Sequence, residues 1–220
     1  MRLILLGSPG SGKGTQAKLL SDRLGLTDVG TGDILREAMR QGTPAGRQAA
    51  PYVNKGQLVP DDLVNALINE RFDRPDRPEH FVMDGYPRTL AQAKSFDIVL
   101  KRNGLNLGAV VFVKVDDEQI VQRLSGRWSC PKCKSTYHKV LKPPAKPGVC
   151  DLDGEPLIQR PDDQEATVRE RLRYYHQNTV DLIPYYHQQG ILQEVSGEGL
   201  VEQVYSRILK VLNPKASSKC

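Results

Sequence analysis

The stretch "RLILLGSPGSGKGTQAKLL", residues 2–20, decides the fold. Its opening "RLILL" (2–6) is a near-continuous apolar run, the pattern of a strand buried on both faces. From Lys13 to Leu24 the apolar residues Ala17, Leu20 and Leu24 fall at helical spacing. Between the two, Gly7, Gly12 and Lys13 fit the pattern G-x-x-x-x-G-K-[ST]. Glycines let backbone N–H groups curl around phosphate oxygens, the helix N-terminus adds positive potential, and the lysine reaches the transferred phosphate. The plainer alternative, a glycine-rich turn followed by a surface lysine, does not explain these spacings at a strand–helix junction. One position departs from the pattern: Gly14 stands where Ser or Thr would ligate Mg²⁺, and Thr15 could substitute only at a different angle. Mg²⁺ is therefore expected to be held largely by nucleotide and water, with a carboxylate such as Asp84 behind the water.

Working outward, short apolar runs alternate with longer helical patterns, which implies a parallel sheet wrapped by helices. "FVMD" (81–84), "AVVFVKV" (109–115) and "ILQEV" (191–195) read as further buried strands. Helices are expected over 61–72, 89–102, 117–125, 163–188 and 200–212, with Pro184 kinking or shortening the longest. Residues 30–60 read as helical with glycine and proline punctuation and no strand. Residues 127–161 hold all the internal cysteines and show no sustained periodicity, so a loop of that length needs an organisation of its own. Only "NPKASSKC" (213–220) looks frayed.

The 220 residues suffice for one domain with insertions, and 39% hydrophobic with 26% charged residues is an ordinary globular composition. A net charge of +5 suits anionic partners, nucleotides or nucleic acid or an acidic membrane, although a basic solvated surface has the same signature. No apolar run reaches bilayer-spanning length. The start "MRLILLG" is too short for a signal peptide, so a cytoplasmic location is expected. Four cysteines, one of them the terminal Cys220, make no disulfide framework for such a chain, and a CxxC with a distant partner more often binds metal.

The variant "GSPGSGKGTQ" (7–16), "TGDILR" (31–36), "GQLVPDDLV" (56–64), "DGYPRT" (84–89), "RLSGR" (123–127) and "RPDDQEATVRERL" (160–172) together resemble adenylate kinases over essentially the whole chain. The resemblance implies a P-loop nucleoside monophosphate kinase fold of α/β class, with a five-stranded parallel sheet flanked by helices. It implies a core of 1–29, 60–126 and 164–220, an AMP-binding subdomain of 30–59, and a zinc-bearing lid of 127–163. The ATP site would comprise Gly10, Ser11, Gly12, Lys13, Gly14, Thr15, Arg123 against adenine, Arg127, Thr136, Tyr137 and Gly199. The AMP site would comprise Thr31, Arg36, Gln57, Leu58, Val59, Gly85, Tyr86, Pro87, Arg88, Gln92, Arg160 and Arg171.

Read without the resemblance, several of these residues have simpler roles. Thr31 and Asp33 could merely cap a helix. Arg88 could be a surface arginine after a turn, although Gly85 and Pro87 turn the chain beyond a strand's C-terminal end, where open α/β sheets bind ligands. Arg123 and Arg127 read as ending a helix, with Arg160 just before the next helix and Arg171 inside it. Spacing cannot choose among Arg169, Arg171 and Arg173; the family pattern picks Arg171 and leaves the others as solvated surface.

The chemistry implied needs little covalent help. An acceptor phosphate with a second pKa of about 6 is already an ionised nucleophile at neutral pH. What it needs is in-line positioning of two polyanions, supplied by Lys13, Arg36, Arg88, Arg127, Arg160 and Arg171 with Mg²⁺, and exclusion of water. Stretches 30–60 and 127–161 could close over AMP and ATP, with Gly30 and Gly126 where hinges would be useful.

Cys130, Cys133, Cys150 and Asp153 have the spacing C-x₂-C-x₁₆-C-x₂-D of a ribbon-like zinc site, and Zn²⁺ accepts carboxylate oxygen as well as thiolate. Asp151 and His138 are rival fourth ligands, but only Asp153 keeps the x₂ spacing. Four protein ligands leave no open position, so the Zn²⁺ is expected to be structural. Two other readings remain at this stage: a kinase for UMP, CMP or GMP, and a zinc-ribbon nucleic-acid-binding protein with an exposed Trp128. ATP, AMP and ADP as substrates, no nucleic acid or membrane partner, and a monomer are the expectation.

Overall fold

The protein is described by a computed structural model covering residues 1–213, so the terminal stretch with Cys220 lies outside the described residues. Five parallel strands form the central sheet: β1 (Arg2–Leu6), β2 (Thr27–Gly30), β3 (Phe81–Asp84), β4 (Ala109–Lys114) and, near the C-terminus, β7 (Leu192–Ser196). Their order across the sheet is β2-β3-β1-β4-β7. β1 lies at the centre, in register Leu3↔Val82 on one side and Leu3↔Ala109 on the other.

The strand β2 is one that periodicity missed. Its sequence TDVG holds a single buried residue, Val29, because it is an edge strand with one side against β3. An edge strand this short carries no apolar run to find.

Helices cover both faces. α1 (Lys13–Leu24) and α9 (Val201–Leu212) pack Ala17, Leu20, Val204, Tyr205 and Ile208 against Leu3, Leu5, Val82, Val111 and Val113. On the other face, α4 (Asp61–Asp73), α5 (Leu90–Arg102) and α8 (Leu182–Gln188) bury Ile68, Phe72, Phe96, Val99, Leu182 and Tyr186 against Ile4, Phe81 and Met83. Phe72, Phe81, Phe96 and Tyr86 meet edge to face, with centroids 5.3–6.1 Å apart, an arrangement worth roughly 0.5–1.5 kcal/mol per pair beyond the burial itself. The helix after β1 thus lies on one face and the helix after β3 on the other, which opens a crevice at the carboxyl ends of these neighbouring strands.

Within 30–60 the chain forms α2 (Thr31–Arg40) and α3 (Pro44–Asn54), matching the helical reading. Neither Thr31 nor Asp33 caps α2, however: Gly30 is its N-cap, and Thr31 Oγ1 instead donates to the Asp84 carbonyl at 3.3 Å. α6 (Asp117–Ser125) is capped by Asp116, whose carboxylate accepts from the amides of Glu118 and Gln119. Arg127 does not end this helix. It opens β5 (Arg127–Ser129), which pairs antiparallel with β6 (Thr136–His138).

The long helix expected over 163–188 is two, α7 (Glu165–Asn178) and α8, broken at 179–181. Pro184 is responsible from one turn downstream. It has no N–H for the carbonyl of Val180 four residues back, and its ring crowds that carbonyl. The Val180 carbonyl accepts from Ile183 at 3.0 Å instead, in the tighter i→i+3 pattern. Among the described residues no helix is long and apolar enough to cross a membrane.

Candidate active site and lid cluster

The glycine-rich loop curls between β1 and α1 with Gly7, Gly10 and Gly12 all at positive φ. At Gly7 a Cβ would lie 2.5 Å from the carbonyl oxygen of Val113, so only glycine fits there. Lys13 Nζ folds back over the loop, donating to the carbonyls of Gly7 (2.8 Å) and Ser8 (2.7 Å). Desolvation among these groups pushes its pKa down to about 8; Asp84 opposes this, and the positive field of Arg88, Arg171 and Arg127 adds to it. Three arginines distant in sequence thus act on the loop lysine. Gly10–Thr15 lie where the sequence placed them, and a Cβ on Gly14 would stand 3.0 Å from Asp84 Oδ2, so the Asp84 carboxylate faces the start of α1. Thr15 is exposed.

The arginines are organised by two carboxylates that sequence reasoning passed over. Asp163, fully buried, accepts from Arg127 Nε at 2.8 Å and from its Nη2 at 2.5 Å, and lies 3.6 Å from Arg171 Nη1. Asp162 lies 2.9 Å from Arg171 through Oδ2, and its carbonyl accepts from the same Nη1 at 3.0 Å. Both belong to the 3₁₀ turn Pro161–Asp163 between Arg160 and α7. The signal was available: "DD" inside an arginine-rich motif, where buried carboxylates require partners. Arg171 and Arg160 both have their pKa values lowered to about 10, foremost by burial; for Arg160 the neighbouring Arg36 and Arg127 add to the effect.

On the other side of the cleft, Arg36 donates to Asp33 at 2.7 Å. Arg88 follows the turn after β3, with Nε donating to the Gly85 carbonyl at 2.8 Å and its pKa lowered by burial. Gly85, at φ 81°, leaves no room for a side chain, since a Cβ would lie 2.9 Å from Thr31 Oγ1 and 3.1 Å from Arg88 Nη2. Gln92 accepts from the Arg88 amide and donates to Asp61, both at 2.7 Å. The Gln57–Val59 segment follows Gly56, whose Cβ position lies 2.9 Å from Arg171 Cγ and from the Thr167 carbonyl, so the segment packs against α7.

Not every expected residue turns its side chain to the cleft. Tyr86 is buried in the core, its hydroxyl donating to Asn65 at 2.7 Å. Tyr137 points into the lid, its hydroxyl 3.4 Å from Cys150 Sγ. Pro87 is buried, and Thr136 is half-buried on β6. Any nucleotide contact from Tyr86 or Tyr137 must therefore come from the backbone. Arg123 Nη2 donates to the Gly197 carbonyl at 3.1 Å, beside Gly199. Arg169 and Arg173 are half-exposed in surface ion pairs with Glu118, Glu165 and Glu170.

In the lid, ligand atoms of Cys130, Cys133, Cys150 and Asp153 lie within 4.8 Å of one another. Cys133 and Cys150 sulfurs are 3.5 Å apart, and Cys130 Sγ is 3.3 Å from Asp153 Oδ2. Tetrahedral metal–sulfur bonds of ~2.3 Å have edges of ~3.8 Å, so this donor set fits a metal of zinc's size. Both rival ligands are engaged elsewhere. Asp151 accepts from the Ala145 amide at 2.9 Å, and His138 Nδ1 accepts from Val140 and Leu141 amides while its ring lies against Gly126. The buried core of the lid otherwise amounts to Tyr137 and Leu157.

A doubly covered parallel sheet, a glycine-rich loop at its crevice and arginines converging on the loop lysine define a P-loop phosphotransferase. Comparison with known proteins gives the family. The family model described as adenylate kinase matches residues 5–191. The adenylate kinase of Moorella thermoacetica is 46% identical over 212 residues, spanning 96% of this chain and 98% of the relative, and that of Archaeoglobus fulgidus has the same identity and coverage. The adenylate kinase of Caldicellulosiruptor bescii is 44% identical, over 96% and 99% of the two chains. The chain belongs to the adenylate kinase family, and its activity is that of a nucleoside monophosphate kinase. This favours adenylate kinase over the two alternative readings of the sequence.

Proposed function

We propose that the chain transfers the γ-phosphoryl group of ATP reversibly to AMP, giving two ADP, with Lys13, Arg36, Arg88, Arg127, Arg160 and Arg171 as the groups that hold the phosphates. What supports this reading, beside the family match, is the gathering of Arg127 and Arg171 on Asp162 and Asp163 at the cleft into which the Lys13 loop opens. On nucleotide binding Lys13 exchanges the Gly7 and Ser8 carbonyls for phosphate oxygens, and the neutralised polyanions are brought in line. Arg127, braced by Asp163, holds the transferred group, while Arg36, Arg88, Arg160 and Arg171, the last braced by Asp162, hold the acceptor phosphate. The remaining ATP and AMP residues serve as assigned from the family resemblance, Tyr86 and Tyr137 through their backbones. Asp84 faces the loop and fits Mg²⁺, which it would hold through water; the ion would supply charge neutralisation at the phosphates.

The working division is a core of 1–29, 60–126 and 164–220, an AMP-binding part of 30–59 and a lid of 127–163, hinged near Gly30 and Gly126. The contact of Gly56 with α7 supports closure of the 30–59 part over the cleft. Cys130, Cys133, Cys150 and Asp153 would hold a structural Zn²⁺, which would supply the folding energy that the small lid core lacks. The protein is read as a cytoplasmic monomer with ATP, AMP and ADP as substrates and with no nucleic-acid or membrane partner. ADP formation from ATP with AMP, UMP, CMP and GMP in parallel, together with metal analysis and gel filtration, tests the reading. Transfer to another nucleotide in preference to AMP overturns it.

A further inference from the structure

We propose that Asp61 is a positioning residue for acceptor specificity: it fixes the polarity of the Gln92 amide, and so decides which purine the acceptor pocket takes. The inference rests on the reading that Gln92 faces the acceptor base.

A primary amide normally has two nearly equivalent orientations, related by a flip of its oxygen and nitrogen. Gln92 is buried and has one. Its Oε1 accepts from the backbone N–H of Arg88 at 2.7 Å, and that group can only donate. Its Nε2 donates to Asp61 Oδ1 at 2.7 Å, and a carboxylate can only accept. A flip would set donor against donor at Arg88 and acceptor against acceptor at Asp61.

Asp61, the first residue of α4, is itself pinned. Its second oxygen accepts from Thr89 Oγ1 at 2.7 Å, and that hydroxyl caps α5 by accepting from the Gln92 amide at 3.1 Å. Asp61, Thr89 and Gln92 thus close a ring of hydrogen bonds that joins the N-termini of α4 and α5. The Arg88 carbonyl in turn accepts from Thr179 Oγ1 at 2.8 Å, so the residue that sets the amide oxygen is anchored too.

With one hydrogen and one lone pair committed, the Gln92 amide keeps one Nε2–H and one Oε1 lone pair. A 6-aminopurine offers their complement, a ring-nitrogen acceptor beside an amino donor. A 6-oxopurine offers the reverse, a carbonyl acceptor beside an N–H donor, which matches only the flipped amide. The locked orientation therefore favours adenine over hypoxanthine and guanine, and Asp61 is the side chain that, with the Arg88 N–H, sets the lock.

Asp61→Asn tests this with a nearly isosteric change. The Thr89 hydroxyl still needs an acceptor, so the new carbonyl turns to Thr89 and the new NH₂ faces Gln92; each orientation of the amide then has one mismatch, at residue 61 unflipped or at the Arg88 N–H flipped, and neither is locked. On the full-length protein, kcat/KM is measured with AMP and with IMP at saturating ATP, alongside the KM for ATP and the melting temperature. The expected result is an AMP-to-IMP preference narrowed by about tenfold, the scale of one mismatched polar contact, with the KM for ATP unchanged. Asp61→Glu, which keeps an acceptor-only group, recovers most of the preference. Thr89→Val, which cuts the strut but leaves the Gln92 contact, lowers the melting temperature without narrowing the preference. If Asp61→Asn costs stability or overall rate but leaves the AMP-to-IMP ratio within twofold of the parent, Asp61 is only a strut and the proposal falls. If Gln92→Ala leaves both the KM for AMP and the ratio unchanged, the reading of Gln92 as facing the base falls, and the proposal with it.

Discussion

Replacing Asp163 by Asn keeps the shape of the side chain and removes its charge, which makes it the sharpest probe of how the arginines are held. Asp163 is fully buried and takes two charge-assisted hydrogen bonds from Arg127, with Arg171 3.6 Å away. Arg127 and Arg171 side chains are only 20% and 16% exposed, so water cannot replace the lost carboxylate. Removing one partner of a buried pair costs about 3–5 kcal/mol, because the other is left buried and uncompensated. Arg171 keeps Asp162 at 2.9 Å, which places the cost at the lower end, about 3 kcal/mol. For a chain of this size that corresponds to a fall in melting temperature of about 6–12 °C. The effect on turnover is larger in proportion, since losing one preorganised donor to a transferred group costs on the order of 10²–10³ in kcat. Thermal denaturation and a coupled assay of ADP formation read the two effects. An Asp163→Asn protein that melts within about 2 °C of the parent and keeps its kcat would refute the view that this carboxylate braces the phosphate arginines.

Asp153→Ala, or chelation of the parent protein, is expected to lower the unfolding temperature of the lid while leaving initial rates at low temperature largely intact; calorimetry with metal analysis checks this, and identical melting with and without metal contradicts it. Burial holds the Lys13 pKa near 8 rather than the usual 10.5, so in the free protein kcat/KM for ATP should decline as pH rises through about 8. The linkage has a definite sign: between about 8 and 10.5 the unfolded chain binds this proton and the folded chain does not. The penalty of burying the charged lysine is therefore fully present below about 8 and is relieved as pH rises through that window, which Lys13→Met removes. Gly46→Ala should destabilise the protein by about 1–3 kcal/mol, since the new Cβ would lie 2.1 Å from the Ala38 carbonyl oxygen and force α3 away from α2; urea denaturation reads it.

Much of this architecture is legible in the sequence where a single local signal dictates it. The bounds of α1 and α6 follow from glycine, aspartate and apolar spacing, and the phosphate loop from Gly7, Gly12 and Lys13. β2 was not legible, because an edge strand with only Val29 buried leaves no pattern. The helix break was anticipated at Pro184 but falls one turn earlier, where the proline acts on the carbonyl of Val180. In the candidate site, the arginines and Asp84 are legible as motif residues, and the bracing carboxylates are not. Arginines announce themselves in motifs; the pair Asp162–Asp163 hints at partners from within such a motif, but which arginines it holds, and what Asp61 holds, is set only once distant segments fold together. Tyr86 and Tyr137 show the converse: their positions were legible, but the direction of their side chains depends on the packing of α4 and of the lid.

The convergence of Lys13 with Arg36, Arg88, Arg127, Arg160 and Arg171 has a consequence for the empty protein. Six cations stand among five carboxylates, Asp28, Asp33, Asp84, Asp162 and Asp163, so the cleft without nucleotide carries an excess of positive charge. Arg160, whose pKa is lowered first by burial and then by the neighbouring Arg36 and Arg127, feels that excess. The nucleotides are thus the cleft's missing counterions. Like-charge repulsion opposes closure of an empty cleft, while in the function proposed two bound polyanions remove the repulsion and exclude the water that would hydrolyse ATP. Other small polyanions are expected to compete for the same imbalance, so nucleotide affinity should fall as salt rises.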